Sequence, residues 1–205
     1  MKFGQIQGNT MNINWQLREL NLKIVYYGPA LSGKTTNLEQ IHANVDPQRR
    51  SDLVSLKTSE DRTLFFDFLQ LELGMICTLT PKLHLYTVPG QTFYEASRRL
   101  VLRGTDGVVF VADSSAARVN DNLLSWEKMK EHLDSFRMPM VGLPIVLQCN
   151  KQDLPDAITA TALQTIMQTN GCPFFESVAI EGKGVFETLK AITRLVVEDV
   201  QSEVA

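Results

Sequence analysis

Short runs of apolar residues recur along the chain, and each is bounded by turn-forming residues. The runs have the length of a buried β-strand rather than that of a helix. They lie at residues 22–27, 83–88, 108–112, 144–149 and 174–179. This pattern predicts strands that contribute to one hydrophobic core.

Two further segments carry apolar residues at spacings of three and four, which places them on one face of an α-helix. Strands that alternate with amphipathic helices are typical of βαβ units. The sequence therefore predicts an α/β fold with a largely parallel sheet and helices on both faces. The two sets of apolar helical positions are Leu123, Trp126, Met129, Leu133 and Phe136, and Phe186, Leu189, Ile192, Val196 and Val200.

One pair of predicted strands departs from this alternation. Residues 64–73 and 82–88 are separated by only eight residues, which is too few for a helical crossover. We expect these strands to form an antiparallel hairpin, so that the sheet is mixed. The length of 205 residues fits one domain, which we assign to residues 12–205. Residues 1–11 show no periodicity, and we expect them to be a flexible N-terminal extension.

Composition and charge exclude several classes of protein. The chain has 20 Lys and Arg residues against 23 Asp and Glu residues, a balance that argues against binding nucleic acid through bulk charge. The three cysteines are widely spaced without disulfide or zinc-ligand spacing, which favours a reducing compartment. No run approaches the roughly 18 apolar residues of a membrane span, and no acylation signal follows Met1. We therefore expect a cytoplasmic protein without a membrane anchor of its own.

The segment after the first predicted strand matches the phosphate-loop pattern GxxxxGK[ST]. It leads into a helical pattern, which is the context that this loop requires. We expect backbone N–H groups of the loop to bind a β-phosphate, Lys34 to reach the β- and γ-oxygens, and the Thr35 hydroxyl to bind Mg²⁺. The alternative is a glycine-rich turn with an exposed lysine. The predicted phosphate-binding residues are Gly28, Ala30, Leu31, Ser32, Gly33, Lys34, Thr35, Thr36 and Gly90.

A second motif, Asn150-Lys151-Gln152-Asp153, follows the strand at residues 144–149. Guanine presents two donors, N1–H and the 2-amino group, and the two carboxylate oxygens of Asp153 can accept both. Adenine lacks these donors, so the motif favours GTP over ATP. We expect Asn150 to join this loop to the phosphate loop and the aliphatic part of Lys151 to cover the base.

The residues after the last predicted strand complete the predicted guanine site. Val178, Ala179 and Ile180 lie there, and the Ala179 N–H is the expected donor to guanine O6. The alternative is that these residues are only the end of a strand.

Two segments between the motifs are placed to sense a γ-phosphate. Gly90 allows a backbone N–H to approach the phosphate closely, and Gln91 is then expected to orient an attacking water. Thr63 is expected to complete the Mg²⁺ shell, and Arg62 to supply positive charge to the transition state. The alternative for Arg62 is a solvated loop residue.

Downstream of this segment, Arg98 and Arg99 are expected on an exposed helical face that borders the loop. A contact with a partner is one use for such a face.

The three motifs together resemble Ras-like small GTPases, and the segments KIVYYGPALSGKTTNL, RTLFFDF, TVPGQ and NKQD resemble the bacterial MglA-type polarity GTPases. This resemblance extends from about residue 11 to residue 200. It implies a P-loop NTPase fold with a Ras-like, mixed six-stranded sheet, mostly parallel with one antiparallel edge hairpin. It also implies GTP or GDP and Mg²⁺ as ligands, slow intrinsic hydrolysis, Arg62 as an arginine finger within the chain, and Gln91 as the residue that orients water.

The resemblance further implies partners. Members of this branch work with a Roadblock-type (MglB-like) activating protein, and their hairpin slides in register between nucleotide states. They mark a cell pole and recruit polarity, motility or response-regulator-type effectors. By this resemblance we expect a monomer in the cytoplasm that is recruited to a cell pole.

Three residues depart from the Ras-type pattern. Thr87 stands where that pattern has Asp, which implies that Thr87 contacts Mg²⁺ through water and with less charge. Ile180 stands where a base-covering Lys is usual. Ala30 stands where the phosphate loop usually has Gly, and its methyl group points toward the space that Arg62 and Gln91 must share.

Two functions remain open from the sequence. The first is a GTP-hydrolysing switch. The second is a GTP-loaded, hydrolysis-deficient scaffold, which Ala30 favours. An ATP-dependent kinase would leave Asn150 and Asp153 unexplained.

Overall fold

A computed structural model of the chain describes residues 12–14, 16–56, 66–75, 78–89, 95–138, 140–169 and 171–204. Eight strands form one sheet in these ranges. They are β1 (Asn12–Asn14), β2 (Glu19–Tyr27), β3 (Val54–Leu56), β4 (Phe66–Glu72), β5 (Thr80–Thr87), β6 (Gly107–Asp113), β7 (Ile145–Asn150) and β8 (Phe174–Ser177).

Five α-helices accompany the sheet in the described ranges. Among these five helices there is no candidate for a membrane-spanning segment. The helices are α1 (Lys34–Asn44), α2 (Glu95–Leu102), α3 (Val119–Ser135), α4 (Ala160–Ile166) and α5 (Val185–Val204).

The sheet is mixed, as the sequence predicts. Its order is β3-β4-β5-β2-β6-β7-β8, with β1 paired to β2. The five strands from β5 to β8 in this order pair in parallel. The hairpin β4–β5 is antiparallel, with Phe68 opposite Tyr86. The number of strands differs from the predicted six because β1 and β3 have three residues each, too few to show a periodicity. Since β3 pairs with the outer side of β4, the hairpin is not the edge of the sheet.

The core has two apolar layers, one on each face of the sheet. Ile24 of β2 packs in the layer that contains residues of α1 and α5, and Tyr27 packs in the layer that contains residues of α2, α3 and α4. Every residue of β6 is buried, because a central parallel strand is covered on both faces.

Because the five strands from β5 to β8 run in parallel, their carboxyl ends meet at one edge of the sheet. The loops after β2, β7 and β8 leave from that edge, where ligands of open α/β sheets bind.

Candidate nucleotide-binding site

The phosphate loop connects β2 to α1 in a backbone conformation that requires glycine. Gly33 is the N-cap of α1 and has a φ of 102°. A Cβ atom at Gly33 would overlap the side-chain amide of Asn150, and one at Gly28 would overlap the Val111 carbonyl oxygen. The glycines therefore allow the loop to lie directly against β6 and the end of β7.

Gly33 can be tested by adding a single methyl group. We expect Gly33→Ala to lower the free energy of unfolding by about 1–3 kcal/mol, because φ is positive and the methyl group displaces the Asn150 amide. Urea denaturation measures this difference. Gly74→Ala is the matched control, since nothing lies within 4 Å of a Cβ atom at Gly74. Equal stabilities of the two variants would contradict the proposed contact.

Lys34 is the buried cation of the loop, with 6% of its surface exposed. Its Nζ donates hydrogen bonds to the carbonyl oxygens of Gly28 at 3.1 Å and Pro29 at 2.6 Å. Burial, reinforced by the charge of Arg98 and opposed by that of Asp67, lowers the pKa of Lys34 to about 7. An anion bound at this place would stabilise the charged form. The alternative of a glycine-rich turn with an exposed lysine does not agree with this burial.

Arg98 does not lie on an exposed face, contrary to the sequence prediction. It is 5% exposed, whereas its neighbour Arg99 is exposed and its guanidinium lies 5.2 Å from the centre of the Phe136 ring. The difference arises because α2 turns Ser97 and Arg98 inward together with Val101 and Leu102. The charge of Arg98 is near enough to contribute to the lowered pKa of Lys34. A second cation thus lies close to the phosphate loop.

Asp67 is a carboxylate of this site that the sequence motifs do not single out. Its Oδ2 accepts hydrogen bonds from the hydroxyls of Thr35 at 2.6 Å and Thr87 at 2.9 Å. Its Oδ1 accepts one from the Ser55 hydroxyl at 2.7 Å. The Asp67 backbone N–H also donates to Thr87 Oγ1 at 2.8 Å. Ser55, Asp67 and Thr87 therefore form a polar row across β3, β4 and β5.

The polar row changes the expected chemistry of the Mg²⁺ site. A hydroxyl that donates its hydrogen keeps lone pairs with which to bind a cation, and carboxylate and hydroxyl oxygens suit Mg²⁺. The residues present therefore fit this ion. Thr87 replaces the Asp of the Ras-type pattern, yet Asp67 brings a carboxylate to the same place from the neighbouring strand. The expectation of a Mg²⁺ site with less charge stays a prediction. The pairing of β4 with β5 is the signal that could have identified Asp67.

Asn150 joins the three loops at the carboxyl edge of the sheet. Its Nδ2 donates to the Ser32 carbonyl oxygen at 2.8 Å, as expected for a residue that joins the two motifs. Its Oδ1 accepts from the Ser177 hydroxyl at 3.1 Å and from the Ala179 N–H at 2.8 Å. In this conformation the Ala179 N–H is therefore engaged by Asn150. A bond from this N–H to guanine O6 requires that the donor be shared or released.

Lys151 is held by a buried carboxylate next to the site. Its Nζ lies 2.6 Å from Oδ2 of Asp113, and Arg118 Nε lies 3.9 Å from the same oxygen. Arg118 also donates from Nη2 to the Ala30 carbonyl oxygen at 2.8 Å. Lys151 also contributes to the lining of the adjacent cavity.

The cavity at this place has a volume of about 270 Å³. It is lined by every residue predicted for guanine and by three predicted for phosphate. Asp153 is exposed and has its carboxylate available, while Leu31 and Ile180 are 85% and 75% exposed at the rim. These predicted lining residues are Asn150, Lys151, Asp153, Val178, Ala179, Ile180, Leu31, Gly33 and Thr36.

A larger cavity, of about 560 Å³, opens at the opposite edge of the sheet. It lies beside the residues that precede β7 and β8, and Met140, Leu143 and Leu195 contribute to its lining. The smaller cavity is the stronger candidate because the phosphate loop and the Asn150 loop converge there. In open α/β sheets ligands bind at the carboxyl edge rather than the amino edge.

Four predicted residues lie outside the described part of the chain: Arg62, Thr63, Gly90 and Gln91. The strands β4 and β5, which lie next to these residues in the chain, carry side chains that contact one another and the phosphate loop. Thr87 contacts Asp67, and Asp67 contacts Thr35 of the phosphate loop. The roles of the four residues stay predictions.

Comparisons with known proteins identify the family. The Ras family model matches residues 54–198, a range that includes Asn150 and Asp153 but not the phosphate loop. The chain is 48% identical over 189 residues to the mutual gliding-motility protein MglA of Myxococcus xanthus (strain DK1622), with 92% of this chain and 97% of that protein covered. It is 31% identical over 156 residues to ADP-ribosylation factor-like protein 6 of Caenorhabditis elegans, with 75% and 73% covered. It is 29% identical over 123 residues to the Ras-related protein Rab-4 of Dictyostelium discoideum, with 59% and 58% covered.

The fold, the site and these similarities define a Ras-like P-loop protein, and the chain belongs to the Ras family of small GTPases. Within that family it is of the MglA type. The resemblance noted in the sequence is thereby confirmed. GTP or GDP and Mg²⁺ are the ligands characteristic of such GTPases.

Proposed function

We propose that the chain is a GTP-binding molecular switch that hydrolyses GTP slowly to GDP and phosphate. In its GTP state it recruits polarity or motility partners, in keeping with the gliding-motility function in the name of its Myxococcus relative. The observation that carries the proposal is the 2.8 Å hydrogen bond from Asn150 to the Ser32 carbonyl oxygen. This bond joins a phosphate-binding loop to a guanine-reading loop, so that one ligand can contact both.

The phosphate side of the proposed site is built from backbone N–H groups, the Lys34 ammonium and the Asp67 carboxylate. The N–H groups of Gly28 and of residues 30–36, together with the Lys34 ammonium, bind the phosphates. Mg²⁺, when bound, neutralises phosphate charge. Thr35 and Thr63 would hold the ion directly and Thr87 through water. Asp67, which is bonded to both Thr35 and Thr87, adds negative charge to that shell.

The guanine side is built from the loops after β7 and β8. Asp153 accepts the two hydrogen bonds of the base edge. Lys151 covers one face of the base, and Ile180 provides an apolar rim where other GTPases have a lysine. Val178 and Ala179 close the end of the cavity.

In this proposal, hydrolysis and its regulation depend on the segment before β4 and the segment after β5. Gln91 orients water, Arg62 stabilises the transition state, and Gly90 contacts the γ-phosphate. A Roadblock-type (MglB-like) activating protein positions these residues, and the effectors are polarity or response-regulator-type proteins. In this proposal the chain acts as a monomer in the cytoplasm and is recruited to a cell pole.

The proposal is tested on the purified chain. We expect denaturation to release GDP or GTP in about equimolar amount, identified by chromatography. Calorimetry with Mg²⁺ should then show binding of guanine but not adenine nucleotides, and bound GTP should convert to GDP. A well-folded sample without affinity for guanine nucleotides would refute the function.

A second function, a GTP-loaded scaffold that scarcely hydrolyses, is favoured by one observation. Ala30 brings a methyl group into the phosphate loop, and Arg118 Nη2 donates to the Ala30 carbonyl oxygen at 2.8 Å. If the methyl group crowds Gln91, Ala30→Gly should raise single-turnover hydrolysis by about 10- to 100-fold, with GDP affinity as the unchanged control. Fast hydrolysis by the parent chain, with no gain in the variant, would remove the scaffold function.

A further inference from the structure

A buried polar cluster lies directly beneath the two nucleotide loops. Asn37 of α1, Gln148 of β7 and Thr188 of α5 are each fully buried. Asn37 Nδ2 donates to Gln148 Oε1 at 2.8 Å, and Gln148 Nε2 donates back to Asn37 Oδ1 at 2.9 Å. Gln148 Nε2 also donates to the Thr188 hydroxyl at 3.1 Å. We call the reciprocal contact of Asn37 and Gln148 the amide pair.

The amide pair is connected to both loops by short paths. Asn37 Nδ2 donates a second bond, at 2.9 Å, to the carbonyl oxygen of Gly33, the last loop residue before α1. Gln148 lies two residues before Asn150 on the same strand, and Asn150 bonds the Ser32 carbonyl oxygen. Two amide bridges, one above the other, therefore hold the start of α1 against the end of β7.

Hydrogen bonds fix the position of the Asn37 side chain relative to that of Gln148 more strictly than apolar packing would. A buried amide whose partner is shifted leaves donors and acceptors unsatisfied, which is costly. Apolar side chains at the same two positions would tolerate sliding of α1 against β7. The bonded pair therefore fixes the register of the helix that carries the phosphate loop relative to the strand that carries Asn150 and Asp153.

We propose that the amide pair is a positioning device that sets the distance between the phosphate loop and the guanine-reading loop. This inference rests on the proposed function. A ligand held at one end gains the contact at its other end only if the spacing matches its length, because the gain comes from effective concentration. With the spacing set by the amide pair, one guanine nucleotide can contact both loops at once.

The alternative is that the amide pair serves folding alone. The preference for GDP over inosine diphosphate separates the two roles, because inosine diphosphate lacks the 2-amino group that Asp153 is proposed to accept. A smaller fraction of folded protein lowers both apparent affinities equally and cancels in their ratio. A shift of Asp153 relative to the phosphate loop lowers the ratio itself.

The experiment measures binding of GDP and inosine diphosphate, with Mg²⁺, to Asn37→Leu, Gln148→Leu and the double variant. We expect each single variant to bind GDP about tenfold more weakly and to lose most of its preference for GDP. The double variant has no orphaned amide in the pair, so its stability in urea should recover while its preference stays low. Gln164→Leu is the matched control, because Gln164 of α4 bonds the Cys172 carbonyl oxygen away from this site; its preference should equal that of the parent chain.

The outcomes separate the two proposals. If the parent chain does not bind GDP, the proposed function fails. If the parent chain prefers GDP but the single variants keep that preference, the positioning role of the amide pair is refuted alone. If the single variants do not fold, the double variant provides the test. A double variant that prefers GDP over inosine diphosphate as strongly as the parent chain would show that the amide pair serves packing alone.

Discussion

Replacing Arg62 by Ala should lower GTP hydrolysis stimulated by the activating protein by about 10³- to 10⁵-fold, and Gln91→Ala should lower it strongly as well. Charge develops on the transferred phosphoryl group, and an arginine neutralises it in the transition state. Arg62 precedes β4 by four residues, and Asp67 of β4 already contacts Thr35 of the phosphate loop. Gln91 lies four residues beyond Thr87, the end of β5 and another contact of Asp67. Both segments thus start from strand ends that lie beside the proposed Mg²⁺ site.

Single-turnover hydrolysis of bound GTP, followed with and without the activating protein, measures this effect. The control is Arg49→Ala, which removes an exposed arginine from the turn after α1. The affinity for GDP should be unchanged in all variants, since hydrolysis rather than binding is affected. If Arg62→Ala and Gln91→Ala hydrolyse GTP at the rate of the parent chain, neither residue belongs to the mechanism.

The sequence predicts most of the sheet because burial leaves a pattern there. Central strands such as β6 are covered on both faces and appear as continuous apolar runs. The strands β1 and β3 have three residues each, too few to show such a pattern. Local motifs likewise identify Lys34 and Asn150, because GxxxxGK[ST] and NKxD are patterns of residue types within a few consecutive positions.

Residues whose role depends on tertiary pairing could not be predicted in this way. Asp67 lies between Phe66 and Phe68 in a predicted strand, and only the register of β4 against β5 brings it to Thr87. Asn37 and Gln148 are separated by 111 residues, and only the packing of α1 against β7 brings their side chains together. The charge of Arg98 predicts an exposed position, whereas the packing of α2 buries this side chain.

The second large effect is expected on base preference, when the carboxylate of Asp153 is replaced by an amide. Asp153→Asn should reverse the preference from guanine to xanthine nucleotides, with a combined change on the order of 10⁴-fold. The carboxylate accepts from N1–H and from the 2-amino group of guanine, whereas the amide of Asn can accept one bond and must donate another. Xanthine has a carbonyl where guanine has the 2-amino group, so the Asn amide donates to it.

Competition binding with GDP and xanthosine diphosphate measures this reversal. Asp156→Asn is a matched control, because Asp156 is an exposed carboxylate in the same loop that bonds the Ser115 hydroxyl at 2.7 Å. It removes the same charge and should leave the base preference unchanged. A loss of all nucleotide binding in Asp153→Asn, without gain for xanthine, would mean that Asp153 supports the loop rather than reads the base. Because Asp153 is exposed at the cavity and its charge can be removed without opening a void in the core, we expect the variant to fold and to bind the new base.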